Sequence, residues 1–185
     1  LGDHNNAEAL IGVLSKGGSA TKAGVIYDLV LLAHVAAGLI GYGSIAFSGY
    51  FASALAKEDR ARSLDAGSAK ALARAVHFFE QGPGLAPRVI YLVPVLGGVL
   101  LWLGGGLSEA SEPWVITGGL AWLASVGVAH GLLWPAEEAL AGMLAGGSWN
   151  NVDIKRVACR VELGSTVTMA FYSVGLVAMI AQPGR

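Results

Sequence analysis

Long apolar runs without a single charge alternate along this chain with short polar connections. Four of them, 29–56, 89–108, 113–136 and 163–183, contain no Asp, Glu, Lys or Arg. Each reaches the roughly 20 residues that a helix needs to cross a hydrocarbon core of about 30 Å. In such a medium every backbone N–H and C=O must find its partner within the segment, so the runs predict helices. The expected fold is all-α, a polytopic membrane protein built as an antiparallel bundle of four transmembrane helices. The spans are expected at about 25–56, 88–107, 114–134 and 161–181. Residues 1–24 read as a polar N-terminal leader, and 25–183 as a single transmembrane domain. Within the leader, Ala7–Leu14 fits one or two turns of surface helix, ended by Gly17-Gly18.

The breakers refine this picture. Pro94 lies inside the second run and is expected to kink it, because Pro removes one backbone donor. Pro135 is expected to end the third span, with Glu137 to Leu144 continuing as a helix after a break. The largest polar connection, 57–87, contains Ala69, Leu72, Ala73, Val76 and Phe79 at helical spacing, opposite Lys70, Arg74 and His77. That pattern predicts an amphipathic helix over about 66–80, lying at the membrane interface with its apolar side on lipid or a partner subunit. Gln81-Gly82-Pro83-Gly84 ends it.

Composition narrows the function class. The chain is 54% hydrophobic and 14% charged, with a formal net charge of −1. Ordinary soluble domains carry about 25% charged residues. A soluble enzyme, a nucleic-acid binder and a disulfide-stapled secreted domain are thereby excluded, and the single Cys159 has no internal partner. The lipid bilayer is the expected first partner.

Lysine and arginine set the orientation. Lys57, Arg60, Arg62, Lys70, Arg74, Arg88, Lys155, Arg156 and Arg160 fall on one side, against Lys16, Lys22 and Arg185 on the other. The excess places both long loops and the amphipathic helix in the cytoplasm, with both termini outside.

Candidate chemistry is sparse. Tyr27, Leu31, His34, Gly38, Gly41, Ile45 and Ser48 share one face of the first span, and Glu162, Ser165, Thr166, Met169, Tyr172 and Ser173 form a polar face on the fourth. An intramembrane imidazole prefers a protein interior to lipid, so His34 is expected to point inward. By depth it meets Tyr172, whose hydroxyl is one expected partner; a bound cofactor, with haem b as the candidate, is the other. His34 and His130 lie too far apart along the membrane normal, about 10–15 Å by helical rise, to be expected to share one haem. Arg88 and Glu162 are expected to pair at the membrane boundary, with a His130–Glu162 proton-accepting pair as the alternative. Gly127 and Gly131 have the small-residue spacing of close helix packing, read here as packing within the bundle. No metal-ligand spacing, phosphate-binding loop or nucleophile motif is present.

The stretch Leu31-Leu32-Ala33-His34-Val35-Ala36-Ala37-Gly38 resembles the first helix of a bacterial integral-membrane family, domain of unknown function 2269. A third span running into Trp134-Pro135 and a last span closing on Met179-Ile180-Ala181-Gln182-Pro183 agree in kind. More distantly the layout is similar to copper-resistance D-type and haem-binding protoporphyrinogen oxidase J-type four-helix membrane proteins. The resemblance implies a multi-pass protein of the bacterial inner membrane and, in the last two groups, a functional first-helix histidine, matched here by His34. The oxidase type also uses a lysine in a later helix, and no span here contains one.

Three functions are therefore expected to compete. The first is a non-catalytic accessory subunit packing against other membrane protein subunits. The second is a redox protein binding haem, a metal or a quinone through His34, with Tyr172 and Trp102 near the same outer half. The third is a small transporter or proton path through His34, Tyr172, His130 and Glu162.

Overall fold

The structure is a computed structural model, which describes the backbone of residues 3–57, 73–79, 86–104, 107–146 and 151–181, with side chains from residue 24 onward except at 107, 109 and 151. All of its regular elements are helical. Helix α1 spans Asp3–Lys57 and α2 spans 73–79. A 3-10 turn, Ala86–Tyr91, leads into α3, Leu92–Gly104. A second 3-10 turn, Leu107–Ser111, precedes α4, Pro113–Val128. A π-helical turn, Ala129–Leu133, joins α4 to α5, Trp134–Ala145, and α6 spans Asn151–Ala181.

Four stretches are long and apolar enough to cross a membrane: Gly24–Lys57, Ala86–Gly104, Pro113–Ala145 and Val152–Ala181. Three of them exceed the expected limits, the last by beginning at Val152 in place of 161, and the expected breakers do not stop the helices. Gly17-Gly18 does not stop α1, because glycine costs a helix only about 1 kcal/mol per residue and does not forbid it. Pro135 does not end the third span. Its missing N–H falls in the first turn of α5, where no intrahelical donor is needed, and the wide π turn just before it carries the chain through. The Trp134 N–H reaches back five residues to the Ala129 carbonyl. Pro94 falls in the first turn of α3, after the change from 3-10 to α geometry, and so the kink expected inside a continuous span becomes a junction between two helix types.

Helix α6 packs against both α1 and α4, while α3 packs against α1. The neighbours are antiparallel, as their registers show. Along α1 and α3, Gly41 lies against Ile90, His34 against Gly97 and Tyr27 against Gly104. A Cβ on Gly41 would stand 2.9 Å from the Ile90 backbone nitrogen, so only glycine allows this approach. On α6, Gly164 meets Leu133 while Met179 meets Gly118.

These registers divide the bundle into two halves. Over Tyr27 to Gly41, α1 runs beside α3; beyond that level α1, α5 and the first part of α6 continue without it. The nineteen residues of Ala86–Gly104 reach about 28 Å, one hydrocarbon thickness, whereas the other three stretches have 30 to 34 residues. The extra turns carry Lys57, Glu138, Asp153, Lys155, Arg156 and Arg160. They also enclose most of the apolar core: Ala52, Leu55, Leu133, Ala136, Leu140, Leu144, Ile154, Val157, Ala158 and Val161. Helix α2 completes it, with Ala75 and Phe79 buried and the Phe78 ring tilted against Phe51 with centroids 4.8 Å apart, while Arg74 and His77 stay exposed. Its apolar side thus rests on the bundle itself, in place of the expected lipid or partner; the remainder of the predicted 66–80 helix lies outside the described residues. In the other half the large apolar side chains face outward, among them Leu32, Leu39, Leu120, Val177 and Trp102, the last 72% exposed.

Candidate functional site

Helix α1 carries His34 toward α3, where its Cε1 lies 3.4 Å from the position of a Cβ on Gly97. Its Nδ1 is buried and makes no well-formed hydrogen bond, although the Val93 backbone lies close to the ring. The expected bond to Tyr172 is not formed. Tyr172 faces α1 one turn further along, its hydroxyl 3.8 Å from the position of a Cβ on Gly38 and its ring stacked at 4.0 Å on Tyr42. The two residues share the interior, as their stripes suggest, but the helix register offsets them.

Tyr42 is the better-connected polar group. Its hydroxyl lies 2.7 Å from Ser125 Oγ, and Ser125 in turn donates to the Trp122 carbonyl at 2.8 Å. Since Ser125 has one proton, the order is Tyr42 O–H to Ser125 Oγ, then Ser125 O–H to Trp122. Trp122 Nε1 donates to the Ile90 carbonyl at 3.0 Å, tying α4 to the 3-10 turn before α3. Ser165 donates to the Ile45 carbonyl at 2.7 Å, and Thr168 Oγ1, fully buried on the same face of α6, has no partner.

Glu137 is a buried polar residue that the charge-free runs do not point to. It is 5% exposed and accepts a hydrogen bond from the buried Ser48 hydroxyl. No cation pairs with it among the described residues. The signal was present in the spacing: Leu133, Glu137, Leu140 and Leu144 recur at three- and four-residue steps, and all four are buried. Treating Pro135 as a stop hid this, because it assigned Glu137 to a segment beyond the bundle.

His130 behaves in the opposite way. Gly118, Ala121, Ser125, Ala129 and Leu133 form the buried stripe of α4 and its π turn. His130 is one position off that stripe, about 100° around the helix, and is exposed. It bonds through Nε2 to the Tyr91 hydroxyl and lies edge-on to Trp134, with ring centroids 4.4 Å apart. Neither expected pair forms: among the described residues Glu162 pairs with neither His130 nor Arg88. The series His34, Tyr172, His130, Glu162 is therefore not a connected path. Gly127 and Gly131 also point outward, each with nothing within 4 Å of its Cβ position, and so do not serve packing within the bundle. Cys159 is exposed and unpaired, and the described residues hold no group of three or more His, Cys, Asp or Glu able to bind a metal ion.

Comparisons with family models, with curated proteins and with solved structures find no match. The chemistry of the chain therefore rests on its own geometry: an interior seam of hydroxyls with one carboxyl and one imidazole, and an exterior cluster around His130.

Proposed function

We propose that this chain is a non-catalytic integral membrane subunit that packs against other membrane proteins in a larger complex of the bacterial inner membrane. In this reading the charged ends of α1, α5 and α6 lie on the cytoplasmic side and both termini outside, following the basic-residue excess. The observation that carries the proposal is the outward face of α4 and its π turn, where Gly119, Gly127 and Gly131 have no neighbour within 4 Å of their Cβ positions. Glycine on a lipid-facing surface lowers helix propensity by about 1 kcal/mol and gives lipid little to contact. Against another helix the same bare backbone permits close approach and dense packing. Native electrophoresis from mild detergent, with identification of the co-migrating chains, tests it. The wild type should run in an assembly of fixed composition, and a Gly127→Ile, Gly131→Ile variant with unchanged helicity should run alone. A wild type that stays monomeric after crosslinking in intact membranes overturns the reading.

A second reading, a redox protein with haem b, a metal or a quinone at His34, is supported by one observation: the buried Nδ1 without a well-formed hydrogen bond. That nitrogen fits a single bond to such a group. Tyr172, turned onto Tyr42, does not stand across from it, so the two residues do not form a two-sided site. A visible absorption band in the purified protein that His34→Leu abolishes would support this reading. A colourless, metal-free and quinone-free wild type would remove it.

A further inference from the structure

The cluster on the outside of the bundle has a composition and a depth that point to a ligand. Arg88 and Tyr91 lie three residues apart in the 3-10 turn Ala86–Tyr91, and in a 3-10 helix such residues eclipse one another. The Arg88 side chain therefore rises from the same face as Tyr91. Tyr91 holds His130 through its hydroxyl, and the rings of Tyr91 and His130 stand 6.1 and 4.4 Å from that of Trp134. Arg88 and His130 are exposed, and neither has an acidic partner among the described residues. A guanidinium, a phenol, an imidazole and an indole thus share one surface, where the 3-10 turn before α3 lies beside the π turn after α4. The π turn is part of this arrangement, because it is the segment that presents His130.

Depth decides the chemistry. Ala86–Gly104 matches one hydrocarbon thickness, so its first turn, with Arg88, lies at a membrane boundary. Trp and Tyr favour that level, and a cation there meets headgroups. We propose that Arg88, Tyr91, His130 and Trp134 form a binding site for the phosphate group of an anionic phospholipid. Arg88 supplies the charge and a planar fork of donors that matches phosphate oxygens. His130, fixed through Nε2, presents its other ring nitrogen, and the indole lies against the glycerol region.

The test uses the whole chain in neutral detergent, with phosphatidylglycerol, phosphatidylcholine and inorganic phosphate as separate probes. Native mass spectrometry counts the lipid retained, and thermal unfolding reports stabilisation. Phosphatidylglycerol should be retained in preference to phosphatidylcholine and should raise the unfolding temperature. Arg88→Gln should weaken its retention about fivefold, in line with one interfacial cation, while Arg160→Gln, elsewhere on α6, leaves it unchanged. Arg88→Lys, which keeps the charge without the fork, should fall between wild type and Arg88→Gln, and serves if the glutamine variant does not fold. Equal retention of both lipids, or unchanged retention in the Arg88 variants, overturns the proposal. So does equal stabilisation by inorganic phosphate at matched concentration, which would make the cluster a soluble-anion site.

Discussion

The half of the bundle beside α3 and the half beyond it are held together by different means. Beside α3, the contacts are a backbone approach at Gly41, the His34 ring against Gly97 and a few side-chain hydrogen bonds, and no residue of Leu92–Gly104 is buried. Beyond α3, three helices and α2 enclose a continuous apolar core under a charged surface, as in a soluble helical bundle. The difference follows from the solvent. Lipid tails are as apolar as Leu, so burying Leu between helices yields little inside a bilayer, and close packing and hydrogen bonds must supply the cohesion. Where the helices emerge, water restores the hydrophobic driving force at about 25 cal/mol per Å² of apolar area.

Paired substitutions can break this comparison. Leu140→Ala, in the enclosed core, should destabilise by about 2–5 kcal/mol, whereas Leu120→Ala, on the outward face of α4, should stay within about 0.5 kcal/mol. Reversible unfolding in mixed detergent measures both, and equal effects would show that the two halves do not differ in this way. Gly41→Val forces α3 away from α1 and should cost about 1–3 kcal/mol. Its signature is faster proteolysis in α3 with α5 and α6 still protected; uniform loss of protection would show the halves to be one cooperative unit.

Smaller effects sharpen the contrast. Glu137→Ala leaves the buried Ser48 hydroxyl without its acceptor and should cost about 1–3 kcal/mol. Glu137→Gln keeps an acceptor of nearly the same shape and should cost less than half as much. If the two variants lose equal stability, the carboxyl does more than receive Ser48. Tyr42→Phe keeps the stack on Tyr172 but removes the bond to Ser125, for an expected loss of about 0.5–1.5 kcal/mol. A loss near zero would place the cohesion of the α3 half in backbone approach alone.

Element type was legible because charge-free runs of this length admit little besides helices. The inward facing of His34, Gly38, Gly41, Ile45 and Ser48 was legible too, since a stripe of small and polar residues has no purpose toward lipid, although Leu31 of the same stripe is exposed. The misreadings cluster around Pro135. Read as a terminator, it removed Glu137 from the bundle and left His130 near a helix end opposite Glu162. A proline terminates a helix only when its missing donor falls in the interior, and the π turn moves it into a first turn. Nothing in the local sequence announces that turn.

By itself, then, the sequence determined four apolar helices, their order, and the end of the bundle where charge accumulates. Those properties depend on backbone hydrogen bonding and on transfer between water and lipid, both of which act residue by residue. Only the tertiary structure decided that His34 meets Gly97 and not Tyr172, that Glu137 lies inside, and that His130, Gly127 and Gly131 face out. Each residue turns a helix by about 100°, so a shift of one position in register, or one widened turn, carries a side chain from the core to the surface.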